Sequence, residues 1–177
     1  VLFRSRMRST GYKTNTLLKV DTFGNGDSLV KHNSIYVGAY CGNFLNGSDE
    51  QIGITKVEFA NISKKTSTLD NYNIYKADTV KLEPGNSYEL KIYIASKQEK
   101  SLYAWIDWNG DYDFDDRGEL LIFEENNTQG VISTTVKVPE NAVLGKSRLR
   151  ITSSSVPTKN AYCLSVGKGE TEDYRVY

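Results

Sequence analysis

The chain has 177 residues, and its 22 basic and 22 acidic side chains leave no formal net charge. This length predicts one domain with a core of its own, and the charge balance excludes a protein that binds nucleic acid through a basic field. The mean hydropathy is −0.49. Because no apolar run approaches the roughly 20 residues of a membrane helix, membrane insertion is also excluded.

The first 39 residues differ in character from the rest of the chain. They contain turn formers and only short apolar runs, which predicts a linker or the remnant of a preceding region. The sequence starts at Val1 without an initiator Met or a signal segment, so we expect a fragment of a larger protein. Residues 1–5 also resemble the translation of a sequencing adapter, which would make them a cloning scar.

From about residue 35 onward, apolar and polar side chains alternate with the period of a β-strand. Leu90, Ile92 and Ile94 form a clear example, and residues 132–138 and 148–151 repeat it. Further candidate strands are residues 52–60, 79–82, 102–107, 119–123 and 171–177. No segment predicts an amphipathic helix of three turns. About eight strands at this spacing predict an all-β fold, an Ig-like antiparallel β-sandwich.

Residues 107–119 form an acidic loop with six carboxylates and one Arg, a formal charge of −5 in 13 residues. Oxygen-bearing side chains at alternate positions, followed by two more acids, match the six to eight oxygen ligands that Ca²⁺ takes in proteins. The predicted ligands of one structural Ca²⁺ are Asp107, Asn109, Asp111, Asp113, Asp116 and Glu119. The loop is not an EF-hand, because Tyr112 stands where the invariant Gly would be. The alternative is a solvated acidic turn.

The residue types needed for catalysis are scarce. His32 is the single histidine and lies in a polar stretch, and the chain contains neither a serine-hydrolase elbow nor a zinc-protease motif. The six acids share one small loop, which suits a divalent ion better than a glycosidase acid and base. Cys41 and Cys163 are too few for a structural zinc site, so they form a disulfide or are two buried thiols. We therefore expect no enzymatic activity.

Ordered motifs extend over residues 40–177. Trp105 to Asn109 opens the acidic loop, and Gly-Glu-Thr-Glu-Asp at residues 169–173 follows near the C-terminus. This pattern resembles the GEVED domain family, a β-sandwich module of secreted bacterial proteins, with Thr171 in place of the motif's Val. The resemblance implies a domain over residues 40–177 and a disulfide between Cys41 and Cys163, which fall at the family's cysteine pair.

The acids of the terminal motif are further candidates for the metal site. In a strand, Glu170 and Glu172 point to one face and Asp173 to the other, so all three cannot bind one ion. One or two of them are candidate additional acidic contacts to the loop that begins at Asp107. The alternative is that these acids face solvent on an edge strand.

Two aromatic residues of the loop are candidates for stacking on a sugar ring. Trp105 and Trp108 face opposite sides in a continuing strand, so one of them points outward. An outward Trp108 beside Tyr112 would offer an apolar face with a polar rim to a glycan. A ring that packs on the domain or covers a loop is the alternative.

The sequence and the resemblance together predict a non-catalytic, calcium-binding accessory or adhesion module of a larger secreted or cell-surface bacterial protein. Its expected partners are neighbouring domains of the same polypeptide and an extracellular glycan or protein. The alternatives are a carbohydrate-binding module and a fragment of a secreted hydrolase, either a peptidase or a glycosidase.

Overall fold

The computed structural model describes residues 40–42, 45, 47–67, 70–95, 98–157, 162–163 and 167–177. The predicted linker, remnant or scar over residues 1–39, which includes His32, lies outside the described residues.

Within these ranges the regular structure consists of nine strands, which confirms the predicted all-β fold. The strands are β1 (Ile54–Phe59), β2 (Ile62–Lys65), β3 (Tyr72–Val80), β4 (Ser87–Ile94), β5 (Lys100–Ile106), β6 (Leu120–Asn127), β7 (Val131–Lys137), β8 (Ser147–Ser154) and β9 (Gly169–Val176). The count exceeds the predicted eight because the chain turns after Phe59 and returns as β2. Ala60 makes this tight turn with a φ of 49°.

The strands form two sheets that pack as a sandwich. The four-stranded sheet has the order β2-β1-β4-β7, and the five-stranded sheet has the order β3-β9-β8-β5-β6. All neighbours are antiparallel, as predicted, except β3 and β9, which run parallel. Because β9 lies between β3 and β8, it is an interior strand and not the edge strand considered from the sequence.

The inner faces of the two sheets form the main core. Leu90 and Ile92 of the four-stranded sheet and Leu149 and Ile151 of the five-stranded sheet are fully buried there. Their positions follow the alternation in the sequence, since residues two apart in a strand share a face.

A second, smaller core covers the outer face of the five-stranded sheet. Tyr103 and Trp105 of β5 stack with ring centroids 5.7 Å apart. Phe114 of the acidic loop packs on Trp105, and Tyr40 and Tyr162 complete the cluster. Burial on both faces explains why the residues of β5 are buried without alternation.

A disulfide joins Cys41 to Cys163, as the family resemblance implied, and leaves no free cysteine. The two Cα atoms are 5.5 Å apart although the residues are 122 positions apart in sequence. The bond connects the segments that carry Tyr40 and Tyr162, so it holds these two rings against the second core. The alternative of two buried thiols is therefore wrong.

Candidate functional site

The acidic loop joins β5 to β6 and starts at Asp107, a fully buried residue with 0% exposure. Its carboxylate accepts hydrogen bonds from the Tyr40 hydroxyl at 2.7 Å, from the Gly110 amide at 2.6 Å and from the Tyr112 amide at 3.2 Å. Both oxygens of Asp107 therefore hold the first turn of the loop against the domain.

Glu119 anchors the other end of the loop. Its carboxylate accepts hydrogen bonds from the Trp108 amide at 2.9 Å and from the Asp116 amide at 3.3 Å. Burial, followed by repulsion from Asp107 and Asp111, raises the pKa of Glu119 to about 7. Buried Glu119 thus binds backbone amides from both halves of the loop and holds its two ends together.

Between these anchors, the polar side chains curl the backbone by local bonds. The side-chain oxygens of Asn109, Asp111 and Asp113 each accept a hydrogen bond from the amide two residues further on, at 3.0, 3.2 and 3.1 Å. Side chains of Asn and Asp form such turns readily, because their oxygens reach a nearby backbone amide. The alternation of oxygen-bearing residues therefore sets the shape of the loop.

The curled loop brings three carboxylates together. One oxygen from each of Asp111, Asp113 and Asp116 lies within 4.8 Å of the others. The Asn109 amide group lies beside them and donates to Asp111 at 3.1 Å and to Asp116 at 2.6 Å. Of the six predicted metal ligands, three thus converge and Asn109 adjoins them, whereas Asp107 and Glu119 hold the loop's backbone.

The pKa values of Asp111 and Asp113 are raised in this loop. Burial is the main cause for Asp113, whose pKa rises to about 6, and the charges of Asp111 and Asp115 add to it. Burial and the neighbouring charges of Asp107 and Asp116 also raise the pKa of Asp111. An arrangement of this kind can bind a hard divalent cation, which would offset the mutual repulsion.

The middle of the loop is fastened to the outer face by Phe114. This ring is buried and stacks on Tyr40 with centroids 5.2 Å apart. Asp115 and Arg117 are exposed. As a member of the second core, Phe114 therefore holds the middle of the loop on the outer face.

A buried ion pair lies on the same outer face. Arg150 of β8 forms two hydrogen bonds with the Asp173 carboxylate of β9, at 2.7 Å through Nε and 2.8 Å through Nη2. The other nitrogen of the guanidinium donates to the backbone oxygens of Cys41 and Tyr162. Arg150 is not among the predicted site residues, although its charge between the apolar residues Leu149 and Ile151 is visible in the sequence of the strand.

Residues 101–177 match the family model of the GEVED domain. The family resemblance inferred from the motifs is confirmed over this range, which contains β5 to β9, the acidic loop and the motif at residues 169–173. No curated protein matches the chain. The start of the domain at residue 40 stays a prediction.

The GEVED motif of this chain forms the first half of β9 and faces both cores. Glu170 and Glu172 point into the main core, whereas Asp173 binds Arg150 on the outer face. All three acids are fully buried, so the alternative of solvent-facing acids is wrong. Among the described residues, the hydrogen-bond partners of these carboxylates include Ile54 for Glu170, Tyr75 and Tyr174 for Glu172, and Tyr72, Arg148 and Arg150 for Asp173, and none of these partners lies in the acidic loop.

Trp108 and Tyr112, the two residues considered for glycan stacking, pack against different parts of the domain. Trp108 is half-buried against the main core and donates from its indole nitrogen to the Gly118 carbonyl at 3.1 Å. Tyr112 is 39% exposed and meets Tyr40 edge-on. In neither contact do two aromatic rings lie side by side as one flat surface.

Proposed function

We propose that this chain is a non-catalytic, calcium-binding accessory or adhesion module of a larger secreted or cell-surface bacterial protein. The observation that carries the calcium proposal is the convergence of the Asp111, Asp113 and Asp116 carboxylates in one loop. The GEVED match supports the role of an accessory module.

The chemistry of the loop favours calcium among the divalent cations. Carboxylate and amide oxygens are hard ligands, which Ca²⁺ and Mg²⁺ prefer. Mg²⁺ requires near-octahedral geometry and keeps several waters, whereas Ca²⁺ accepts six to eight oxygens in a flexible arrangement. A loop that curls through successive Asn and Asp turns and gathers three carboxylates is better suited to the second description.

The burial of the two anchoring acids supports a role without catalysis. Asp107 and Glu119 are both buried, and the carboxylate of each accepts hydrogen bonds from two loop amides. A general acid or base must reach a proton of the substrate within hydrogen-bond distance. These two groups instead support the loop, which leaves the exposed side of the loop for an ion.

The disulfide supports placement in an oxidising compartment, since such bonds persist in secreted and cell-surface proteins. No helix of the described residues is long and apolar enough to cross a membrane. Neighbouring domains of the same polypeptide and an extracellular glycan or protein are the partners we propose.

Thermal unfolding in calcium and in chelator tests the metal site. We expect calcium to raise the midpoint of the wild-type domain, with about 2.7 kcal/mol of stabilisation when free calcium is about 100-fold above the dissociation constant. Asp111→Asn should lose most of this shift, because it removes one converging charge at constant size. Glu140→Gln is the control, since Glu140 is exposed and lies outside the acidic loop.

Two outcomes would contradict the proposal. Equal midpoints of the wild-type domain in calcium and in chelator would reject the metal site. A shift that magnesium reproduces in full would reject the choice of calcium.

A further inference from the structure

The carboxylate of Glu170 spans the junction between the two sheets. Glu170 lies in β9 of the five-stranded sheet with 0% exposure, and its Oε2 accepts a hydrogen bond at 2.8 Å from the amide of Ile54. Ile54 is the first residue of β1 in the opposite sheet. Its carbonyl oxygen accepts a second bond, at 2.8 Å, from the Thr66 hydroxyl. One side chain of the GEVED motif therefore fixes the start of β1.

The second oxygen of this carboxylate has no hydrogen-bond partner among the described residues. Within that part of the chain, Glu170 Oε1 is buried and unpaired, and so is the side-chain oxygen of Asn71. Tyr72 pairs with Thr171 in the parallel register, and the Thr171 amide donates to the Asn71 carbonyl at 3.0 Å. Asn71 and Glu170 therefore occupy neighbouring positions on the same face of the sheet.

A buried acceptor without a donor is unfavourable, and each of these two oxygens lacks one among the described residues. The amide nitrogen of Asn71 already donates to the Leu45 carbonyl at 2.8 Å, so that side chain supplies no donor. A proton on the Glu170 carboxyl turns one of the two acceptors into a donor. It also removes a negative charge from the core.

The charges around Glu170 favour the same state. Glu172 lies two residues further along β9 on the same face, and its carboxylate is bound by the Tyr174 hydroxyl at 2.7 Å and the Tyr75 hydroxyl at 3.4 Å. The titratable and polar side chains that face Glu170 are Glu172 and Tyr174 of β9, Asp70 before β3, and Asn73 and Tyr75 of β3. Lys64 of β2 faces Glu172, but it forms an ion pair with Asp78 at 2.9 Å.

We propose that Glu170 carries a proton in the folded domain at neutral pH and that this proton makes the junction between the sheets sensitive to pH. The neutral carboxyl binds the β1 amide through one oxygen and supplies a donor through the other. Loss of the proton places a second charge beside Glu172 in the core, so the domain becomes less stable as the pH rises.

The direction of the effect follows from the two states of the chain. Burial, followed by repulsion from Glu172, raises the pKa of Glu170 in the folded domain from 4.5 to about 8. The unfolded chain thus releases this proton at a lower pH than the folded domain does. The contribution of Glu170 to stability is therefore highest below about pH 4.5 and falls as the pH rises through the interval up to about 8.

The test compares wild-type protein with Glu170→Gln in denaturant unfolding from about pH 5 to about pH 9, in chelator. Gln has the shape of the protonated acid and keeps both an acceptor and a donor. We expect the variant to match the wild type near pH 5. At the alkaline end its folded-to-unfolded equilibrium constant should exceed that of the wild type by at least about tenfold. Glu99→Gln is the control, because Glu99 is exposed.

A parallel pH dependence of the wild type and Glu170→Gln would overturn the proposal. If the variant does not fold, an NMR titration of the wild-type Glu170 carboxyl carbon, assigned through its own backbone, decides the question. A midpoint near 8 supports the proposal, and a midpoint near 4.5 overturns it. Neither measurement involves calcium, so the result is independent of the proposed metal site.

Discussion

Arg150 and Asp173 form a bidentate ion pair between neighbouring strands, and neither side chain has any exposure to solvent. The Asp173 carboxylate also accepts hydrogen bonds from Tyr72 at 2.6 Å and from Arg148 at 2.9 Å. The guanidinium carbon of Arg150 lies 5.2 Å from the ring centroid of Phe114, which belongs to the acidic loop. The pair therefore links Asp173, the last acid of the GEVED motif, to the second core on the outer face.

Removing one member of this pair should leave a buried charge without its partner. We expect Asp173→Ala to lower the free energy of unfolding by about 3–5 kcal/mol, measured by denaturant titration. Asp78→Ala is the control, since its ion pair with Lys64 is about one-third exposed and should contribute at most about 1 kcal/mol. Equal losses in the two variants would show that the buried pair has no special role.

Gly169, the first residue of the motif, leaves no room for a side chain. A Cβ atom at this position would lie 2.0 Å from the Ser153 carbonyl oxygen of β8. Gly169→Ala should therefore force β8 and β9 apart and destabilise the domain by about 1–3 kcal/mol or more. The matched variant is Gly130→Ala, where the nearest atom is 3.9 Å from the added carbon. Thermal unfolding of both proteins checks this expectation, and a Gly169→Ala midpoint equal to that of Gly130→Ala would refute it.

Loss of the disulfide should release the segments that carry Tyr40 and Tyr162 from the second core. The bond closes a separation of 122 residues, and the carbonyl groups of Cys41 and Tyr162 accept hydrogen bonds from Arg150. We expect the double variant Cys41→Ser, Cys163→Ser to lose about 2–5 kcal/mol in denaturant unfolding.

Reductant provides the control for this experiment. It should destabilise the wild-type domain to a similar extent and leave the double variant unchanged. Mass spectrometry confirms that the reductant has produced two free thiols. A wild-type midpoint that is unchanged in that reduced protein would contradict the prediction.

Limited proteolysis should report on the acidic loop directly. Arg117 is exposed and lies between Asp116 and the anchor Glu119, so trypsin can cleave there once the loop opens. If calcium closes the loop, cleavage after Arg117 should be several-fold faster in chelator, as followed by mass spectrometry of the fragments. Asp111→Asn should be cleaved at the fast rate in both buffers, whereas identical wild-type rates would argue against a calcium-stabilised loop.

Local patterns in the sequence determined much of the secondary structure and of the loop. Alternation at Leu90, Ile92 and Ile94 identified β4, because residues two apart in a strand share a face and meet the same environment. The spacing of Asn109, Asp111 and Asp113 indicated a curled loop, since each side chain bonds to an amide only two residues away. The cysteine pair followed from the family resemblance and not from local spacing.

The tertiary structure alone decided which acids bind backbone, which converge and which are buried. The position of β9 between β3 and β8 buries Glu170 and Asp173, and Asp173 then binds an arginine 23 residues earlier in the chain. Asp107 likewise binds Tyr40, which is 67 residues away. Neither contact appears in a local pattern, because the charge and hydrogen-bond partners of a side chain depend on which distant strands and segments pack beside it.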